Sequence, residues 1–403
     1  MADDSKKHKK SKKQKRDHAP ETDSAAAPSD AAANTEGAEA VGDDAGPSGR
    51  KWTLSIALPG TLLDNPPSLE YAVFVAAQIA RTAAAFQVDE VVVYDDSPAA
   101  TAYQPGQRSA SVSTGTALLA RVLQFLDTPP HLRPNMYDSN IMQAHPELRI
   151  AAALPAPNPP HHARPSAAWI PYREGVVLKS EPGAGSYVDV GMDRMVWLEH
   201  ELPQSTRVTV HMGDTEPATR FMEAYSETMI LGTAVPPSEP RVRLGLYWGY
   251  CVRLSLGLQR VFQEGAVSSS GQYDLTIGSS RAGAPTDPVE LVLPRFKHAL
   301  IVFGGGSGAG AGAGAGKKDK KQGGAAAAAA AGAAAAPSQQ QPAQDLDQLI
   351  SRVPDWDHKA PQDVFNLYLN TTPHLGTLRL RTEDALPVAL SYLITPILKY
   401  AKQ

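Results

Sequence analysis

Residues 52–96 alternate between strand-like and helix-like patterns, and this order constrains the fold more than any other feature of the chain. A β-branched, apolar segment at 52–58 is followed by a Pro-Gly turn and a helical pattern with Ser68 as N-cap and Glu70 in its first turn. A second apolar strand pattern occupies 90–94. A strand, helix, strand order is typical of parallel sheets, because parallel strands need a crossover connection. We therefore predict an α/β domain.

Charged side chains stand close to the end of this unit. Arg81 lies towards the end of the predicted helix, and Asp95 and Asp96 follow the second strand. In open α/β sheets, ligands bind beyond the carboxyl ends of the strands. Arg81 is therefore a candidate for orienting an anionic or polar substrate through its bidentate fork. A structural ion pair at a helix end explains Arg81 equally well.

The same α/β patterns return later in the chain. We predict further strands at 274–277, 298–303 and 364–369, and further helices near 116–125, at 247–264 and from Thr382 towards Lys399. The proline-rich stretch 127–171 is predicted to be a mostly extended connection. The predicted architecture is an α/β domain that is interrupted and then completed.

The interruption has a different period. Four short β-branched segments follow one another at intervals of about ten residues, with Gly and Pro between them: 174–179, 186–190, 195–198 and 207–211. This pattern predicts a small OB-like β-barrel, a fold that presents a face and loops to oligonucleotides. The candidate RNA-binding residues are Arg173, Lys179, Arg194 and Arg207. These charges could also do no more than solvate the barrel surface.

Two low-complexity blocks lie outside the predicted cores. Residues 1–50 form a basic and then acidic arm, and 304–345 is a Gly-, Ala- and Gln-rich insertion that could form a transient helix at 325–336. We predict that both blocks are disordered. The predicted α/β domain comprises 51–160 and 241–403, and the barrel domain comprises 161–240.

Several function classes lack their sequence signals. A single cysteine, Cys251, leaves no disulfide framework or cysteine-based zinc cluster, and no apolar run is long enough to span a bilayer. No GxGxxG motif, phosphate-binding loop or complete nucleophile elbow is present. We expect no metal, and we expect His161 and His162 to lie at the surface. The aromatics at 247–250 could stack on bases, although a core position is favoured.

The ordered motifs resemble one family over most of the chain. The chain is similar to SPOUT-type, class IV RNA methyltransferases that carry an OB-like insertion, a family with eukaryotic and archaeal members and a spindle-associated human member. The matching segments are 53–60, 63–65, 78–81, 88–90, 125–133, 173–175, 245–250, 273–278, 302–305, 368–371 and 381–383.

The resemblance implies a trefoil-knot α/β domain that binds S-adenosylmethionine in the loops after the late strands. Glycine in such loops lets the backbone approach the cofactor without a Cβ atom in the way. The residues that match this role are Phe303, Gly304, Gly305, Gly306, Leu369, Asn370, Thr371, Gly376, Leu380, Arg381 and Thr382.

We expect the catalytic residues to be Arg81 and Glu383. Glu383 could accept a hydrogen bond from substrate or cofactor, or it could simply favour the helix N-terminus where it lies. Two departures from the family pattern concern this site. The insertion begins directly after Gly306, and Pro387 falls inside the last helix.

The expected function is methylation of an RNA base by S-adenosylmethionine, with uridine N3 or pseudouridine as the targets to which the resemblance points. An inactive RNA-binding or spindle-associated scaffold with the same fold is the alternative. The resemblance also implies a homodimer that pairs through the knot helices. The lysine run at 6–16 indicates the nucleus, either the nucleolus or the mitotic spindle. We expect no contact with a membrane.

Overall fold

The computed structural model describes residues 49–97, 100, 112–163, 168–216, 229–263, 265, 271–305, 345–356, 358–377 and 380–402. Most of the predicted arm and insertion, including the lysine run and the alanine tract, lies outside the described residues. Arg50 is described and belongs to the α/β domain, because its guanidinium binds both carboxylate oxygens of Asp89 at 2.6 and 2.8 Å.

A six-stranded parallel sheet forms the centre of the α/β domain. Its strands are β1 (Thr53–Pro59), β2 (Glu90–Asp95), β8 (Cys251–Leu256), β9 (Leu275–Pro285), β10 (His298–Phe303) and β11 (Leu367–Asn370), in the spatial order β11-β9-β10-β1-β2-β8. The predicted parallel sheet is therefore confirmed.

The three long helices pack on one face of this sheet. They are α1 (Leu69–Ala85), α2 (Thr114–Asp127) and α9 (Thr382–Tyr400). The Ser68 side chain accepts a hydrogen bond from the Tyr71 backbone N–H, as expected of the predicted cap. Helix α9 continues through Pro387.

Apolar side chains of the strands alternate between the two faces. Ile56 and Leu58 pack with α1, α2 and α9, whereas Ala57 and Tyr94 pack on the opposite face with helix α7 (Leu346–Ile350) and the 3-10 helix at Gln259–Phe262. This alternation is the two-residue period of a strand, and it lets helical elements cover both faces of a parallel sheet.

The inserted barrel is closed and five-stranded. Its strands are β3 (Tyr172–Glu181), β4 (Gly185–Asp189), β5 (Met195–Leu198), β6 (Arg207–His211) and β7 (Met229–Val235), arranged β3-β4-β5-β7-β6. β5 and β7 are parallel, whereas the pairs β3–β4, β3–β6, β4–β5 and β6–β7 are antiparallel. The small barrel predicted from four of these strands is present, and β7 is the strand that the sequence patterns missed.

Two sequence-based predictions of local structure were wrong. Residues 247–264, predicted as a helix, form β8 and a 3-10 helix, and Gly249 (φ +81°) and Gly257 (φ +85°) lie on either side of the strand. The connection 127–171 is not mostly extended. It contains the short helices α3 (Arg133–Met136), α4 (Ser139–Ala144) and α5 (Pro146–Ala153). The remaining short helices are α6 (Glu239–Leu244) and α8 (Pro361–Val364).

A buried polar cluster joins the barrel to the end of α2. Arg207 binds Asp127 at 2.9 Å and Glu174 at 2.7 Å, and the Nε2 atoms of His161 and His162 lie 2.9 and 2.8 Å from the Asp127 carbonyl oxygen. The prediction that both histidines lie at the surface was therefore wrong, because they fill this joint. We call these five residues the joint cluster.

Candidate cofactor and substrate site

A cleft opens at the carboxyl ends of β9, β10 and β11. Its empty space, counted together with the solvent at its open mouth, is about 560 Å³. The residues that line it are Ser279, Ser280, Arg281, Phe303, Gly304, Gly305, Asp345, Leu346, Thr371, Thr372, Leu375, Leu380, Thr382 and Ala385. Hydroxyl, carboxylate and apolar groups therefore meet in one place.

The cleft exists because β9 and β11 separate locally. Tyr368 of β11 is paired with Gly278 of β9, but the next residue, Leu369, is paired with Ala284. Residues 279–283 are therefore not paired with β11. Three of these residues line the cleft: Ser279, Ser280 and Arg281. None of the three is among the site residues predicted from the sequence, although they follow the predicted strand 274–277, at the kind of edge where α/β proteins bind ligands.

The cleft wall requires glycine at position 304. A Cβ atom there would lie 2.4 Å from the Leu346 backbone nitrogen. The Thr382 hydroxyl donates to the Gly304 carbonyl oxygen at 3.0 Å, and Tyr94 donates to the Phe303 carbonyl oxygen at 2.6 Å. These contacts fix the end of β10 against both α7 and α9.

Most of the predicted cofactor residues meet at this cleft. Those that line it are Phe303, Gly304, Gly305, Thr371, Leu380 and Thr382. Leu369 and Asn370 end β11 beside it, and Arg381 is the N-cap of α9. Gly376 is exposed, with no atom within 4 Å of a Cβ placed there. Gly306 lies outside the described residues.

Glu383 lies in the sequence between Thr382 and Ala385, which line the cleft, but it is not itself one of the lining residues. It is only 5% exposed, and its Oε2 atom has no hydrogen-bond partner among the described residues. Oε1 lies 3.5 Å from the Tyr71 hydroxyl and 3.7 Å from Arg381. Burial raises the pKa of Glu383 above its ordinary value. A bound molecule that brings a donor to Oε2 would satisfy this carboxylate.

Arg81 does not line the described cleft. It lies on α1 one turn beyond Gln78, whose side-chain amide donates to the Glu383 carbonyl oxygen and to Asp384, both at 3.1 Å. The Arg81 guanidinium carbon is 5.9 Å from the Phe74 ring centroid, and one nitrogen donates to the Pro155 carbonyl oxygen at 3.5 Å. Within one chain, the two predicted catalytic residues are therefore not in contact.

The four predicted RNA-binding residues have unlike surroundings. Arg173 is 3% exposed and donates to the Ala163 carbonyl oxygen, and Arg207 belongs to the joint cluster. Lys179 is 68% exposed, and Arg194 lies near exposed carboxylates of the barrel. The buried Arg173 and the doubly ion-paired Arg207 offer little to a phosphate at the surface. Of the four side chains only that of Lys179 is well exposed, since those of Arg194 and Arg207 are 20% and 27% exposed.

Asp96 is a buried carboxylate beyond the end of β2. Both of its oxygens accept hydrogen bonds from Thr61, at 3.2 Å from the backbone N–H and at 2.6 Å from the hydroxyl. Burial raises its pKa to about 6. Because its pKa is higher in the folded state than in the unfolded chain, Asp96 contributes most to the free energy of unfolding below the ordinary carboxyl pKa. This contribution is lost as pH rises through about 6.

We therefore expect Asp96→Asn to flatten the stability profile between about pH 4 and 6.5. Urea unfolding of wild type and variant across this range measures the effect. An Asp138→Asn variant, at an exposed helix cap, serves as the control for removing a carboxylate elsewhere in the same domain. Parallel profiles for wild type and Asp96→Asn would show that Asp96 does not titrate in this range.

The comparison that decides the family covers most of the chain. Residues 53–393 match the family model described as "Putative RNA methyltransferase". The chain belongs to this family. The prediction of an RNA methyltransferase is confirmed, and the matched residues include both the cleft and the barrel.

Curated relatives of this RNA methyltransferase carry a more specific name. The human 28S rRNA (uridine-N(3))-methyltransferase is 34% identical over 349 residues, which cover 86% of this chain and 78% of the relative. The mouse protein of the same name is also 34% identical, with 86% and 77% coverage. The Drosophila melanogaster protein of that name is 31% identical over 351 residues, with 85% and 61% coverage.

Two further expectations concern metals and membranes. Within the described parts of the chain, no group of three or more His, Cys, Asp or Glu side chains is placed to hold a metal ion. None of the described helices is both long and apolar enough to cross a bilayer.

Proposed function

We propose that this RNA methyltransferase transfers the methyl group of S-adenosylmethionine to N3 of a uridine in large-subunit ribosomal RNA. The observation that carries the proposal is the cleft at the ends of β9, β10 and β11, which six of the predicted cofactor residues line. The names of the human, mouse and fly relatives support uridine N3 as the target.

The cleft suits the chemical groups of S-adenosylmethionine. Gly304 lets the end of β10 come close to the Leu346 backbone of α7, so no side chain projects into the cleft wall at this position. Asp345 offers a carboxylate to hydroxyl or ammonium groups, and Leu346, Leu375 and Leu380 offer apolar contacts. Convergent polar groups within an apolar lining are typical of small-molecule sites.

The protein positions the uridine base and removes its N3 proton. A bound cofactor would supply the methyl group and leave as S-adenosylhomocysteine, and the residues that position the uracil N3 for this transfer would make the larger contribution to rate. N3 of uridine carries a proton that must leave. Glu383 is the proposed base, because its Oε2 atom is unpartnered among the described residues and its raised pKa favours proton acceptance. Arg81 is proposed to orient the RNA.

Glu383→Gln is expected to lower kcat by roughly 10²- to 10³-fold while leaving the affinity for S-adenosylmethionine within a factor of about three, since general-base catalysis contributes this much. Single-turnover methyl transfer and calorimetry measure the two quantities. Asp384→Asn, one residue further along α9 and exposed, is the matched control and should retain activity. A Glu383→Gln enzyme that keeps the wild-type rate and pH profile would exclude Glu383 as the base.

A homodimer through α1 and α9 completes the proposal. Phe74 on α1 and Val388 and Leu398 on α9 are large apolar side chains that are 45–59% exposed, which supports contact with a second copy. The trefoil knot and nuclear or nucleolar residence are proposed from the family resemblance. Sedimentation velocity tests the dimer, and a monomer at micromolar concentration would contradict it.

A further inference from the structure

A row of side chains crosses the outer face of the barrel and has no part in the methyl-transfer chemistry. Lys179, Tyr187, Trp197 and Leu231 lie on β3, β4, β5 and β7, and each is paired in register with the next across neighbouring strands. Neighbouring strands lie about 4.8 Å apart, so the row is a continuous strip. We call these four residues the outer row.

The direction of the outer row follows from the burial of its neighbours. Val188, Val196 and Ile230 alternate with row residues along the strands and lie in the barrel core, each at most 2% exposed. Successive side chains of a strand point to opposite faces, so the outer row faces away from the core. Leu231 is 71% exposed. Met195 and Met229, two residues before Trp197 and Leu231, extend the apolar strip.

Trp197 is fixed in orientation. Its Nε1 atom donates to the Ala184 carbonyl oxygen at 2.8 Å. Its ring lies against Gly185, where a Cβ atom would come within 3.2 Å of the indole. A ring that is already ordered loses little entropy when a ligand stacks on it, so such a ring is suited to binding.

The chemistry of the outer row fits unpaired RNA bases. Aromatic rings stack on any base, and a cation beside them pairs with the phosphate backbone. Lys179 bonds to Glu181 at 2.6 Å, but such exposed pairs contribute little and exchange readily for a phosphate. β4 and β5 are the second and third strands of the barrel, which form the oligonucleotide-binding face in OB folds. Duplex RNA hides its base faces and is disfavoured.

We propose that the outer row is a stacking surface for an unpaired segment of the RNA substrate, with Tyr187 and Trp197 contacting bases and Lys179 contacting a phosphate. The proposal rests on RNA being the substrate of the proposed function. It assigns RNA contact to the outer face of β4 and β5, and not to the buried Arg173 or to Arg207, whose guanidinium is engaged in the joint cluster.

Tryptophan fluorescence of the full chain tests the stacking directly. A short single-stranded oligouridylate is the probe, and we expect it to quench the wild-type emission. Trp197→Phe should remove most of this quenching. Trp169→Phe is the matched control, because Trp169 is on the same barrel, donates to a backbone carbonyl at 3.0 Å and lies off the row. Equal quenching in both variants would overturn the proposal.

Affinity provides the second readout. Tyr187→Ala combined with Trp197→Leu should weaken binding of the labelled oligouridylate by at least about fivefold, and Trp197→Phe should recover part of it, since each stacked base contributes substantially. Affinity for S-adenosylmethionine should stay unchanged, which separates this proposal from the cofactor site. Unchanged RNA affinity with a folded barrel, or a variant that alters only self-association, would contradict the stacking surface.

Discussion

Replacing Gly304 by alanine is expected to weaken S-adenosylmethionine binding by about 30- to 150-fold. The added methyl carbon would lie 2.4 Å from the Leu346 backbone nitrogen, a contact that only a shift of the backbone can relieve. Forcing a methyl group into filled space costs roughly 2–3 kcal/mol. The free protein can relax by moving α7 outward, but cofactor binding needs α7 against β10, so we expect the cost to appear in the affinity. Calorimetric titration measures it.

Gly376→Ala is the matched control for this prediction. Gly376 was also predicted to bind the cofactor, yet a Cβ atom at this position meets nothing within 4 Å. We expect this variant to bind S-adenosylmethionine within about threefold of wild type, because the substitution fills no occupied space. If both alanine variants bind like wild type, the wall formed by Gly304 is not part of the cofactor site.

Arg207→Ala is expected to lower the free energy of unfolding by about 3–5 kcal/mol. Arg207 is the shared partner of the buried carboxylates of Asp127 and Glu174. Burial by itself pushes the pKa of both acids up, but Arg207 outweighs it together with His161 and nearby donors, so both pKa values lie below their ordinary range. Removing Arg207 leaves the buried carboxylates of Asp127 and Glu174 without their shared ion-pair partner. Urea unfolding at pH 7 measures the loss.

The stability loss in Arg207→Ala should depend on pH and be smaller in acid. Carboxylates with lowered pKa values stabilise the fold above their ordinary pKa of about 4, and this stabilisation disappears as pH falls through the folded-state values. The difference in the free energy of unfolding between wild type and Arg207→Ala should therefore decrease at acidic pH. Arg194→Ala is the control on the same barrel, because its carboxylate neighbours are exposed, and it should cost less than about 1 kcal/mol. Equal losses for both variants would contradict the role of the joint cluster.

The sequence predicted the elements whose signals are local. The Ser68 cap, the strand at 298–303 and the start of α9 at Thr382 match the structure, and the strand predicted at 52–58 is found at Thr53–Pro59, because periodicity and capping act over a few residues. The helix predicted at 247–264 failed for a physical reason. Apolar residues there recur at helical spacing, but Gly249 and Gly257 adopt left-handed backbone angles on either side of a strand that pairs with β2.

The proline-rich composition of 127–171 predicts a mostly extended chain, and the structure differs because prolines also suit helix starts. Pro134 and Pro146 each lie in the first turn of a short helix, where the fixed φ angle of proline is favourable. The cleft could be predicted only in part. Ser279, Ser280 and Arg281 line it because the β9 register shifts against β11, and Asp345 lies beyond a long insertion. Such contacts depend on distant pairing that local patterns do not encode.

The most direct test is methyl transfer from radiolabelled S-adenosylmethionine to large-subunit ribosomal RNA prepared from cells that lack this protein, followed by nucleoside analysis. We predict label in 3-methyluridine with the wild-type protein and with Gly376→Ala, and little label with Gly304→Ala or Glu383→Gln. A folded wild-type protein that binds the cofactor but transfers no label would favour the inactive scaffold. Label in another nucleoside would contradict uridine N3 as the target.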